Sequence, residues 1–175
     1  VVVAFRMLPE IVWSMPRLGT FNVHAALLPQ YRGAAPINWA VINGETETGV
    51  TTFFLDKDID TGRIILQKPF AIPDTADVEY VYDGLMVLGA KIAMETIDLI
   101  ASKLPEDSLD NVDFSAVLDD ISAPQVCEDA ELHHAPKIFK ETCEINWNQS
   151  AKKVYDFVRG LSPYPGTWST LCSIE

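Results

Sequence analysis

Basic residues are scarce in this chain: 13 Lys and Arg stand against 25 Asp and Glu in 175 residues, a formal net charge of −12 at pH 7. That balance argues against a broad nucleic-acid surface, because phosphate contacts ordinarily leave a basic footprint. Only the segment from Lys137 to Arg159, with Lys137, Lys140, Lys152, Lys153 and Arg159, is mildly basic. A solvated helix face accounts for it as well as a phosphate contact does. No apolar run approaches membrane-spanning length, and the first residues show no basic region followed by a cleavage site. Cysteine is also sparse. Cys127, Cys143 and Cys172 are odd in number and lack short metal spacing, which favours reduced, structural thiols in a cytoplasmic protein. Internal repeats and low-complexity segments are absent.

The composition that remains is ordinary for a globular chain, with 48% hydrophobic and 22% charged residues. The length suits one domain with a sizeable core plus part of another. Val1 to Phe5 is a continuous apolar, β-branched run, the pattern of a strand buried on both faces. A chain opening on such a strand, and stopping at Glu175 soon after a new segment begins, is expected to be a fragment. Leu8 to Met15 reads as a short helix opening at Pro9. Phe21 to His24 reads as a strand, and Ile37 to Ile42 as a helix between Pro36 and Asn43-Gly44. Val50 to Leu55 and Ile64 to Ile72 read as neighbouring strands joined by the acidic turn Asp56 to Gly62. Asp77 is a credible N-cap for a long helix to about Ser102, carrying Val78, Val81, Tyr82, Leu85, Leu88, Ile92, Met94, Ile97 and Leu99 at helical spacing. Lys103 to Pro136 is an acidic, aperiodic connector with room for one short strand. Ser150 caps a helical pattern running to Leu161. Strands alternating with helices indicate an α/β sheet.

The chemistry concentrates in Asn22-Val23-His24, followed by Leu27-Leu28-Pro29 and Tyr31-Arg32-Gly33-Ala34-Ala35-Pro36, and answered by Asp58-Ile59-Asp60-Thr61-Gly62. In an extended segment, positions 22 and 24 point to the same side. Asn22 can donate N–H bonds to a developing oxyanion, His24 can move a proton, and Asp60 can set the tautomer and charge of that histidine. Such parts suit a group transfer to an amine. Arg32 is a candidate for positioning its loop or neutralising acidic groups, and Gly33 serves backbone geometry. Asp56 and Asp58 read as solvated charges. His133-His134 reads as surface or linker, since adjacent positions do not share a helix face.

These motifs resemble the signature of the folate-dependent formyltransferases, roughly Asn-x-His-x-Ser-Leu-Leu-Pro followed by an aromatic residue and Arg-Gly. Ala34-Ala35-Pro36, Gly49-Val50-Thr51, Asp60-Thr61-Gly62 and the block from Trp147 through Val158-Arg159-Gly160 to Trp168 narrow the likeness to the branch that formylates methionyl-tRNA. The resemblance implies the C-terminal half of a Rossmann-like formyltransferase domain followed by the start of a second, OB-like or β-barrel domain. The implied boundaries are 1–117 for the partial catalytic domain, 118–140 for a linker and 141–175 for the start of a tRNA-facing domain. It further implies 10-formyltetrahydrofolate as co-substrate, initiator methionyl-tRNA as partner, no metal, no membrane and no obligate protein partner. The catalytic residues would be Asn22, His24 and Asp60. The folate-contacting residues would be Ala26, Leu27, Leu28 and Pro29, together with Arg6, Met7 and Leu8 from the loop that holds the pterin edge. Ala26 stands where the family usually has serine, so a hydroxyl contact there would be lost and a backbone contact kept. The competing readings are a sibling enzyme acting on a small amine, such as glycinamide ribonucleotide or an amino sugar, and an inactive or binding fragment. The Trp147 to Trp168 block disfavours the glycinamide enzyme, which needs no second domain.

Overall fold

A computed structural model describes residues 1–3, 7–105, 112–126 and 132–171. In chain order the elements are β1 (Val2–Val3), α1 (Glu10–Trp13), β2 (Phe21–His24), β3 (Arg32–Gly33), α2 (Pro36–Ile42), β4 (Glu47–Phe54), β5 (Ile64–Ala71), α3 (Val78–Ser102), α4 (Phe114–Asp120), β6 (His134–Ala135) and α5 (Ala151–Gly160). A 3-10 turn at Glu141–Cys143 precedes α5. Four strands form one mixed sheet in the order β1-β2-β4-β5, with β1 parallel to β2 and the other two pairs antiparallel. A separate parallel pair joins β3 to β6, matching Arg32 with His134 and Gly33 with Ala135. Helices pack on this sheet, which makes the chain an α/β fold.

β4 is the central strand. Its residues from Thr48 to Phe53 are all buried, as β-branched and aromatic side chains covered on both faces should be. Two of its hydroxyls are paired: Thr51 Oγ1 donates to the Ala26 carbonyl at 2.6 Å, and Thr52 Oγ1 lies 2.9 Å from Thr96 Oγ1. α3 crosses β4 and β5, capped by the Asp77 carboxylate, which accepts from the Tyr80 N–H at 3.0 Å. Its buried face is Val78, Val81, Leu85, Ile92, Thr96 and Ile100, a clean 3.6-residue period. Tyr82, Met94 and Ile97, expected on that face, are exposed because they lie off that stripe, and polar Thr96 takes a core position.

Three further expectations change. Val2–Val3 is an edge strand among the described residues, and Val1 and Val3 are exposed, so the described part of the apolar opening run is not buried on both faces, while Ala4 and Phe5 lie outside the described residues. An apolar run marks a strand's composition but not how many neighbours cover it. The predicted Leu8 to Met15 helix shortens to one turn with Pro9 at its N-cap and no buried residue. The connector contains α4, whose seven residues are too few to show a period, capped by Asp113 accepting from the Ala116 N–H at 3.2 Å.

The C-terminal segment folds back on α2. Ser150 caps α5 as expected, accepting from the Lys153 N–H. Asn38 Nδ2 donates to the Gly160 carbonyl at 2.8 Å, and Trp39 Nε1 to the Pro136 carbonyl at 2.8 Å. Asp156 and Arg159 are buried together: Asp156 Oδ1 accepts from Arg159 Nε and from Lys152 Nζ, each at 2.7 Å. Lys152 also bonds Asp74 at 2.6 Å; its hydrogen bonds to Asp156 and Asp74 hold the ammonium above its ordinary pKa, and its bond to Asp74 holds that carboxyl below the usual range. Two of the five basic residues between Lys137 and Arg159 are thus neutralised within the fold. Among the described residues no helix is long and apolar enough to cross a membrane.

Candidate active site

β2 sets Asn22 and His24 on one side of the sheet, opposite Phe53 and Thr51 of β4. Because β1 runs parallel to β2, their carboxyl ends coincide, and the turn from Ala25 to Tyr31 leaves from that end. Ligands of open α/β sheets commonly bind at such strand ends. His24 is only 6% exposed, and its Nε2 lies 2.9 Å from the Tyr31 carbonyl oxygen. A carbonyl only accepts, so Nε2 carries the hydrogen and Nδ1 is the nitrogen left to exchange a proton. Nδ1 faces the Asp60 carboxylate at 3.9 Å, too long for a hydrogen bond and close enough for the carboxylate to attract the ring when Nδ1 carries a proton. Asp60 Oδ2 is held by the Gly33 N–H at 2.9 Å. The Asn22 side-chain oxygen is buried with no partner among the described residues.

Backbone strain gathers here. Tyr31 (φ 58°) and Asp60 (φ 56°) are the two non-glycine residues in the left-handed region among those described, and both touch His24's surroundings. Each such residue costs about 1–3 kcal/mol and persists where neighbours over-determine it. Gly33 and Gly62 supply close approach. At Gly33 a Cβ would meet the Ala135 carbonyl at 2.4 Å, and at Gly62 it would lie 1.7 Å from the Phe54 carbonyl. The Tyr31 ring is buried, its hydroxyl donates to Glu45 at 2.5 Å, and burial first, then that bond, push the phenol well above its ordinary pKa.

The structure brings His24 and Asp60 together, with Asn22 alongside on β2. It treats the folate-loop residues differently. Ala26 and Leu28 are buried, and their backbone groups are engaged: the Ala26 carbonyl accepts from Thr51, the Leu28 N–H donates to Thr51 Oγ1 at 3.1 Å, and the Leu28 carbonyl accepts from Gln67 at 2.8 Å. Leu27 lines a cavity of about 110 Å³ with Gln30, Tyr31, Glu45, Glu47 and Thr48. Pro29 is half-buried beside it in sequence. Met7 is largely exposed and Leu8 half-buried, while Arg6 lies outside the described residues, as do Cys127 and Cys172. Cys143 is buried and unbridged.

Two residues escaped sequence reasoning. Gln125 hydrogen-bonds the Asp60 turn and Arg32 at once, yet a single amide in an acidic, aperiodic stretch carries no signal. His133, read as surface or linker, is indeed exposed, but its stacking on Tyr31 with ring centroids 5.6 Å apart and its carbonyl accepting from the Tyr31 N–H at 2.7 Å were not foreseen.

A family model described as formyl transferase matches residues 1–97, and one described as formyl transferase, C-terminal domain, matches residues 137–173. The chain belongs to the formyl transferase family. Among curated relatives, a methionyl-tRNA formyltransferase of Bacteroides thetaiotaomicron is 60% identical over 100% of this chain and 50% of its own length. A methionyl-tRNA formyltransferase of Flavobacterium psychrophilum is 49% identical over 96% of this chain and 48% of its own. The chain thus spans about half the length of the curated relatives it matches. Among solved structures, HypX from Aquifex aeolicus in complex with tetrahydrofolic acid superposes with a TM-score of 0.69 at 21% identity, covering 95% of this chain and 26% of that one. A likely sugar N-formyltransferase from Mycobacterium tuberculosis gives a TM-score of 0.63 at 23% identity, over 85% and 58%. At these identities the likeness concerns the fold, a Rossmann-like formyl transferase domain.

The donor set suits a formyl carbonyl and an attacking amine. Asn22 can offer N–H groups to an oxygen gaining charge. His24 offers Nδ1 for a proton.

Proposed function

We propose that this chain carries the catalytic constellation of a methionyl-tRNA formyltransferase, which moves a formyl group from 10-formyltetrahydrofolate to the α-amine of initiator methionyl-tRNA in the cytoplasm. The observation that carries the proposal is the His24–Asp60 pair at the carboxyl end of β2, beside Asn22 on the same strand. The 60% identity to a curated methionyl-tRNA formyltransferase supports the choice of acceptor. In this reading 1–117 belongs to the catalytic domain, 118–140 connects, and 141–175 begins the tRNA-facing part. Leu27, Pro29, Met7 and Leu8 would border the folate, with Ala26 and Leu28 shaping the turn from behind.

When bound, 10-formyltetrahydrofolate supplies a formyl carbon activated by its attachment to N10. The Asn22 amide N–H holds the formyl oxygen as it gains negative charge during attack by the amine. One such preorganised donor lowers a barrier by about 3–4 kcal/mol. A free α-amine has a pKa near ~8, so at neutral pH the ammonium first gives one proton to solvent, and the neutral amine that results attacks. His24 takes the proton displaced from the amine at Nδ1, and Asp60 stabilises the imidazolium that results. His24 then releases that proton to N10. One N–C bond forms at the amine, one breaks at N10, and the proton passes from the first nitrogen to the second. No covalent enzyme intermediate is involved.

The test compares acceptors. The protein is incubated with 10-formyltetrahydrofolate and either methionyl-tRNA, glycinamide ribonucleotide or an amino-sugar nucleotide, with products read by mass spectrometry. The proposal expects N-formylmethionyl-tRNA as the fastest product. A faster small-amine product, or none from any acceptor, would overturn it.

A further inference from the structure

We propose that Gln125 is a positioning residue for proton transfer, holding the Asp60 turn in the left-handed conformation that aims its carboxylate at His24. The inference rests on the function proposed above. Both ends of the Gln125 amide are engaged, and both act on the same carboxylate. Nε2 donates to the carbonyls of Asp60 and Gly62, each at 2.8 Å, clamping the turn on either side of Thr61. Oε1 accepts from Arg32 through Nη2 at 2.5 Å and Nε at 3.1 Å. Arg32 directly precedes Gly33, whose N–H donates to Asp60 Oδ2 at 2.9 Å. Gln125 therefore fixes Asp60 twice: through its own carbonyl, and through the strand that holds its carboxylate.

A clamp is needed there. Asp60 sits at φ 56°, a conformation an L residue leaves readily unless its surroundings forbid it. Relaxation to negative φ would swing the side chain away from His24 Nδ1, only 3.9 Å from Asp60 Oδ2 in the structure. A neutral amide is suited to the task. It orders the turn and receives the Arg32 guanidinium without placing a further charge between carboxylate and imidazole. A carboxylate at position 125 would keep Arg32 but turn an oxygen toward the Asp60 and Gly62 carbonyls, which is repulsive.

The experiment uses Gln125→Met, which keeps length and packing without the hydrogen bonds, and Gln125→Glu, which keeps only the Arg32 contact. Formyl transfer is measured in the wild-type and Asp60→Asn backgrounds, and the Gly33 amide resonance is followed by 1H–15N spectroscopy. A positioning role predicts that kcat falls about 10- to 100-fold in both variants, with both KM values within about threefold. In the Asp60→Asn background the same substitutions should cost less than about threefold, because the group they position is already disabled. The Gly33 amide proton, deshielded by the carboxylate it contacts, should move upfield. Equal losses in both backgrounds, KM changes without kcat changes, or an unmoved Gly33 resonance would overturn the proposal. If the wild-type protein transfers no formyl group, the functional reading fails while the Gly33 resonance still decides whether Gln125 holds Asp60 in place.

Discussion

Replacing Asp60 with Asn is the sharpest single perturbation, because it removes one charge and little else. The Asn side-chain oxygen can still accept from the Gly33 N–H, now at 2.9 Å to Asp60 Oδ2, so the turn keeps its anchor. What disappears is the interaction of a carboxylate with an imidazolium 3.9 Å away, in a site where the two side chains are 6% and 13% exposed. At an effective dielectric of about 20, that interaction is about 4 kcal/mol, an upper figure for its contribution to the charged state of His24. Discounting for residual solvent leaves about 3 kcal/mol of lost transition-state stabilisation, so kcat should fall about 100-fold. The assay is single-turnover formyl transfer at saturating donor and acceptor, paired with donor affinity and thermal melting. Affinity should stay within about threefold and stability within about 1 kcal/mol. A variant that transfers formyl groups within tenfold of wild type would refute the argument that Asp60 acts through its charge.

Other consequences are independent of catalysis. The raised Tyr31 phenol favours the neutral form in the fold, so its stabilising effect is complete below the ordinary tyrosine value near ~10 and disappears as pH climbs through the higher folded value. Absorbance at 295 nm should show Tyr31 ionising last among the five tyrosines, together with alkaline unfolding, and Tyr31→Phe should abolish that late step; five tyrosines titrating together in a folded protein would contradict it. Asp156→Ala would leave the buried Arg159 guanidinium without its carboxylate and should cost about 3–5 kcal/mol in urea unfolding, with α5 becoming protease-sensitive. A loss below about 1 kcal/mol would mean that the pair does not weld α5 to the rest.

The parts of the fold that were legible in the sequence are those with long or chemically marked patterns. β2, β4 and β5 lie where their β-branched and aromatic runs place them, and the Asp77 cap marks the start of α3. Patterns with too few residues failed: α4 spans less than two helical periods, and apolar content alone did not separate the stripe of α3 from Tyr82, Met94 and Ile97 on its exposed side. Within the site, the two-residue spacing of Asn22 and His24 was readable because a strand repeats every two positions. Asp60 was readable as a carboxylate suited to tuning His24, but local spacing says nothing about where a distant turn delivers it. Gln125 could not be found this way, because its role exists only where three segments meet. Nor does a Leu-Leu-Pro triplet disclose that its neighbouring backbone is tied to Thr51 and Gln67.

The central claim is that the side chains of Asn22 and His24 act on the reacting carbonyl and its proton. The most direct measurement is the single-turnover rate of N-formylmethionyl-tRNA formation by Asn22→Ala and His24→Ala, with donor affinity measured in parallel. Each rate should drop by about 100-fold or more while donor affinity changes by less than about threefold. A rate within threefold of wild type for either variant would contradict the account.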